Sequence, residues 1–185
     1  MQKLRQYVFE YLRHKMPGRV VRFPHLDKPL KVMIIYESDV LERNDEIKAI
    51  RQDLLRRQMD VSMWGYVAKK DVQTLILPQS RIVGLGDFNF LGRLKDEVLD
   101  DLRLEHYDLL IDLSTQVLLP LRYLTMYADA DFKVGLHLGE GLHDMLISMP
   151  VETPAEGEEA EVSQLKPTQL YNEIMKYLTT IRSLD

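Results

Sequence analysis

Two runs constrain this chain more than any other feature: Lys31-Val-Met-Ile-Ile-Tyr36 and Tyr107-Asp-Leu-Leu-Ile-Asp-Leu113. Each is too short for a buried helix and too continuously apolar for a strand with one face in water. Such runs are expected of strands covered on both faces, as in parallel sheets flanked by helices. The segments between them carry apolar residues three and four apart, the mark of helices that bury one side. The expectation is therefore an α/β protein with three layers: a mostly parallel sheet of about six strands with flanking helices.

The first unit reads β-α-β. After the strand at Lys31–Tyr36, Ile47, Ile50, Leu54 and Leu55 recur at helical spacing, Asn44 offers a cap, Asp45 and Glu46 suit the first turn, and the helix should end near Gln58. Residues 61–67 then form a second strand, and a connection of this kind is right-handed in nearly all proteins. Between Ala68 and Leu94 two apolar pieces compete, Leu75-Ile-Leu77 and Ile82-Val-Gly-Leu85. Pro78 and the surrounding glycines favour a strand at 81–85. Leu94, Val98, Leu99 and Leu102 give the next helix, 107–113 the clearest buried strand, and 116–128 a third crossover helix in whose first turn Pro120 is tolerated. Residues 132–136 and 145–149 complete the strands, the last after a turn with Gly139 and Gly141. A closing helix starts at Pro167-Thr168 and presents Leu170, Ile174, Tyr177, Leu178 and Ile181.

Two segments stand apart. Residues 1–30 read as a basic amphipathic helix and linker, with Leu4, Tyr7, Val8, Tyr11 and Leu12 on one face and Pro17-Gly18 ending the helix. Residues 151–166 form an acidic linker inside the domain at 31–185, with five glutamates between Glu152 and Glu161 beside Pro154 and Gly157, a composition expected to be mobile.

The net charge of −5 is unevenly spread: residues 1–31 hold eight Lys/Arg against Glu10 and Asp27. The acidic remainder repels phosphate backbones, so nucleic acid is not an expected partner. The sequence holds no cysteine, which excludes disulfides and thiolate chemistry and suits a reducing cytoplasm. No apolar run approaches the ~18 residues that span a bilayer.

The residues that bear chemistry gather after strands. Asp87, Asn89 and Arg93 lie in Gly86-Asp-Phe-Asn-Phe-Leu-Gly-Arg93. Ser38 and Asp39 follow the first strand, and Asp112 and Ser114 the fourth. Parallel sheets bind ligands at the carboxyl ends of their strands, so these seven are the candidate ligand-binding residues. Each also has an ordinary structural use: Asp87 and Asn89 in bonding the loop backbone, the serines and aspartates in capping helices. Gly84-Leu-Gly86 lacks the third glycine of a dinucleotide fingerprint, having Asn89 there, and no phosphate-binding G-x-x-x-x-G-K-[ST] occurs. His137 and His143 are metal-capable, but the glycines between them do not hold them on one helix. No metal or cofactor is expected.

The stretches Gly86 to Arg93 and Tyr107 to Gly135 resemble a small family of uncharacterised bacterial Rossmann-like proteins, which share D-F-N-x-x-G and Y-D-L-L-I-D-L followed by F-K-V-G. More distantly, Ile111 to Leu113 followed by Phe132 to Gly135 is similar to the N-terminal half of heptosyltransferase-type (GT-B) glycosyltransferases. That likeness implies a Rossmann-like layer, and an enzyme of that type would need a second such domain from a partner.

Three functions follow as expectations. The first is a non-catalytic or small-ligand-binding domain acting at the carboxyl edge of its sheet. The second is a glycosyltransferase-like enzyme or subunit using Asp39, Asp87 or Asp112 as a base. The third is an interaction module whose N-terminal helix meets a membrane surface, a protein partner or a second copy.

Overall fold

The computed structural model describes residues 2–38, 41–68, 80–138, 141–149 and 165–181. In chain order the elements are α1 (Gln2–His14), β1 (Lys31–Glu37), α2 (Leu41–Arg56), β2 (Asp60–Tyr66), β3 (Ser80–Val83), α3 (Asp96–Arg103), β4 (His106–Asp112), α4 (Leu119–Tyr127), β5 (Asp129–Leu136), β6 (Met145–Ile147) and α5 (Pro167–Thr180), with a single 3₁₀ turn at Leu85–Asp87. The strands form one six-stranded sheet in the order β3-β2-β1-β4-β5-β6, and every pairing is parallel. This is the Rossmann-like order, in which the chain moves outward from β1 to one edge and then returns to build the other half.

The continuous apolar runs are buried on both sides, as their composition requires. Val32, Ile34 and Tyr36 of β1 pack with Ile47, Ile50 and Leu54 of α2 and with Leu170, Ile174 and Leu178 of α5. Met33 and Ile35, pointing the other way, pack with Val98, Leu99 and Leu102 of α3 and with Leu121 and Leu124 of α4. Strands β5 and β6 pair parallel although no helix lies among the described residues between them. The register explains this, since Met145 stands beside Val134 and Ile147 beside Leu136, so the chain steps back only over the end of β5.

Four details differ from the sequence expectations. Helix α2 begins at Leu41, so Asn44 lies inside it and is not its cap. The third strand is Ser80–Val83, since Leu85 already belongs to the 3₁₀ turn. Tyr177 on α5 and Ile181 just past its end are each 44% exposed, and Tyr171 and Met175 take the buried positions. On α1 the packed residue is Phe9, fully buried against Tyr123 with ring centroids 5.0 Å apart, and Leu12 adds to the same cluster. Leu4, Tyr7 and Tyr11 of the expected apolar face are instead 49, 70 and 51% exposed. Asp39, the apolar piece at 75–77, Gly139 and the acidic stretch 151–164 lie outside the described residues.

Candidate functional site

Strand order places the site. The connections after β1 and β4 leave the sheet in opposite directions, and between such diverging loops open sheets form crevices. Glu37, the last residue of β1, ties the loop after β4 into position. It is buried, accepting hydrogen bonds from the Thr115 backbone N–H at 3.2 Å and from Gln116 Nε2 at 2.8 Å. Ser38 beside it is buried too, its N–H donating to the Tyr66 carbonyl at 2.8 Å.

Asp112, at the end of β4, is the centre of the arrangement. Only 6% exposed, it accepts hydrogen bonds at both oxygens. Oδ1 takes the Ser114 backbone N–H at 3.0 Å and the Ser114 hydroxyl, while Oδ2 takes Thr125 Oγ1 at 3.0 Å and His143 Nε2 at 3.0 Å. Burial by itself pushes the carboxyl upward, but the bonds from His143 and Ser114 together hold it below the ordinary value of 3.8. It is a buried, ionised carboxylate with donors at both oxygens.

His143 reaches this carboxylate because its neighbour has no side chain. Gly135 of β5 pairs in register with Asp112, and a Cβ on Gly135 would stand 2.7 Å from His143 Nε2 and 3.0 Å from two ring carbons. The glycine of F-K-V-G is thus the floor on which the imidazole lies. Two residues earlier on the same face, Lys133 is buried and its Nζ donates to the Thr125 carbonyl at 2.6 Å. That carbonyl belongs to the last turn of α4, where carbonyls lack helical partners and a cation is favourable. Burial, then Arg19, pushes the Lys133 amine down to about 8.

Above these groups lies an open cleft of about 240 Å³. Its polar lining includes Gln6 of α1, Asp112, Ser114, Gln116, Arg122 and His143. Leu118, Leu121, Leu136, Leu138 and Leu142 supply apolar walls. Arg122 is held between α1 and α4, 3.5 Å from Glu10 and with its guanidinium 4.3 Å from the Phe9 ring centroid.

Of the sequence candidates, the structure brings Asp112 and Ser114 into this cleft. Asp87, Asn89 and Arg93 are in the separate loop after β3. There Asp87 Oδ2 accepts the Gly84 N–H at 2.7 Å, and Asn89 Oδ1 accepts the N–H groups of Leu91 and Arg93 at 3.0 and 3.1 Å. Gly92, with φ of +78°, completes that turn in a conformation suited to glycine. Arg93 Nη2 reaches Asp96 at 3.4 Å, and its Nε is buried without a partner among the described residues. The loop binds its own backbone, which is the structural use the sequence also allowed.

The residue that sequence reasoning did not select is His143. The signal was available in the pairing of I-D-L with F-K-V-G, which sets a glycine beside an aspartate at a strand end and leaves room for a third group. Among the described residues no cluster of three or more His, Asp or Glu side chains is arranged to hold a metal ion, and no helix is long and apolar enough to cross a membrane.

A family model described as a family of unknown function, DUF6913, matches residues 3–181. No curated protein and no solved structure matches the chain.

Proposed function

We propose that this chain, which belongs to the DUF6913 family, is a small-molecule-binding Rossmann-like domain whose ligand occupies the cleft beside Asp112 and His143. The observation that carries the reading is the cleft's composition: leucine side chains together with a set of polar groups, at the carboxyl end of a parallel sheet. Ligand sites are typically mostly apolar hollows with a few placed polar groups. The buried, fully bonded Asp112 gives such a site a rigid polar floor.

Screening neutral sugars, nucleosides, nucleotides and sugar nucleotides by thermal shift tests this. A ligand at a hundred times its dissociation constant adds about 2.7 kcal/mol, which for a chain of this size raises the Tm by roughly 5–10 °C. Val117 lines the cleft and is 56% exposed, so Val117→Trp fills the space with little effect on folding. The expected result is a shift in the wild type that Val117→Trp abolishes. A panel without any shift, or one whose shifts persist in the variant, overturns the reading.

A second reading rests on α1. Its exposed Leu4, Tyr7 and Tyr11, close in sequence to Lys3 and Lys15, form an interaction face for a second copy of the chain. Concentration-dependent sedimentation of the wild type, lost in Tyr7→Ser/Tyr11→Ser, supports it; a monomer at all concentrations removes it.

A further inference from the structure

We infer that His143 is an acid–base residue, oriented by Asp112, that exchanges a proton at Nδ1 with an uncharged ligand bearing an acidic O–H or N–H group. This deepens the cleft reading above and rests on it.

The geometry determines which nitrogen is available. An ionised carboxylate accepts hydrogen bonds and donates none, so His143 Nε2, 3.0 Å from Asp112 Oδ2, carries the hydrogen. In neutral imidazole the other nitrogen is then an acceptor. Nδ1 has no hydrogen-bond partner among the described residues, and His143 lines the cleft. Gly135 beneath the ring and Asp112 at its edge fix it in this orientation. When a ligand O–H bond breaks, its electron pair stays on the ligand oxygen and the proton forms Nδ1–H. The imidazolium so produced faces the Asp112 carboxylate. The reverse transfer restores both groups.

Hydration bears on the ligand's charge. Arg19 is matched by Asp144, Arg13 and Arg122 share Glu10, Asp112 is satisfied by hydrogen bonds, and Lys133 is held by the Thr125 carbonyl. A charged ligand loses part of its hydration against the leucine walls. A neutral donor does not meet that penalty. Ser114, although buried beside the dyad, gives its hydroxyl hydrogen to Asp112 and makes no bond to His143, so the arrangement does not activate it as a nucleophile.

The probe for this is 4-nitrophenol, a small neutral phenol whose ionisation is visible in its absorbance. At a pH below its own pKa, its binding to the wild type, followed by equilibrium dialysis, is expected to raise the phenolate band. In His143→Gln the phenolate fraction of the 4-nitrophenol that is bound is expected to fall at least about tenfold, one pKa unit being a factor of ten. Asp112→Asn is expected to reduce the band as well. Independently of any variant, the ¹⁵N shifts of His143 in the wild type are expected to show hydrogen on Nε2. Binding without phenolate, an equal band in His143→Gln, or hydrogen on Nδ1 overturns the inference. Failure of 4-nitrophenol to bind overturns it too, and if the screened panel still gives shifts lost in Val117→Trp, the cleft reading survives it.

Discussion

The His143 imidazole rests on the backbone of Gly135, so closely that a Cβ there would stand 2.7 Å from the nitrogen that holds Asp112. The strand is fixed by its pairing with β4, so the ring is the part that must move. Gly135→Ala is expected to push the ring off Asp112 and to cost about 1–3 kcal/mol, the usual range for adding a methyl group to a filled interior. Urea denaturation and the His143 ¹⁵N shifts check both parts. Unchanged shifts would show that the contact does not position the ring.

Asp112 satisfies three side-chain donors in a buried place. Asp112→Ala leaves Ser114 and His143 without their acceptor, while Thr125 keeps the Leu121 carbonyl at 3.1 Å, and is expected to cost about 3–5 kcal/mol at neutral pH. The folded carboxyl lies below its ordinary 3.8, so its contribution is complete above that value and is lost as pH falls through the folded value. Unfolding curves from pH 7 to pH 3 are expected to show the gap between wild type and variant beginning to close near pH 4. A gap that stays constant contradicts this.

Lys133 shows the same direction of pH dependence in a more alkaline window. Its amine is pushed from 10.5 to about 8 by burial, so between those values the unfolded chain holds a proton that the folded chain has released. Stability attributable to this group therefore rises with pH across that window, and the cost of burying the charge is full below it. Relative to Lys133→Met, the wild type is expected to gain about 1–3 kcal/mol between pH 8 and pH 10. A difference independent of pH would show that Lys133 titrates normally.

The two faces of α1 are expected to respond unequally. Phe9 is fully buried between Tyr123 and the Arg122 guanidinium, and Phe9→Ala is expected to cost about 3–5 kcal/mol. Tyr7→Ser and Tyr11→Ser, at exposed positions, are expected to stay within about 0.5 kcal/mol in the monomer. Chemical denaturation of the three variants decides which face docks, and a large loss from Tyr7→Ser would reverse the assignment.

The sheet was readable because its evidence is local. Val32–Tyr36 and Leu109–Ile111 are apolar without alternation, which follows from burial on both faces, and the helical spacing of Ile47, Ile50 and Leu54 shows where α2 buries its side. The candidate site was half readable. Asp112 and Ser114 were visible as polar residues at a strand end, but so were Asp87 and Asn89, and nothing local separates an aspartate that organises a cleft from one that closes its own turn. Asp39 lies outside the described residues.

By itself, then, the sequence determined the class of fold, most of the elements and the sheet edge at which polar residues collect, since hydrophobic period and turn chemistry are properties of neighbouring residues. Tertiary structure decided the rest. The docking of α1 depends on what α4 presents to it, and an amphipathic stripe containing Leu4, Tyr7 and Tyr11 does not specify that Phe9 is the residue received between Tyr123 and Arg122. The meeting of His143 with Asp112 depends on the register of β5 on β4 and on a side chain absent at Gly135. Contacts between residues far apart in the chain are set by the packing of whole elements, and only the folded chain brings this histidine to this carboxylate.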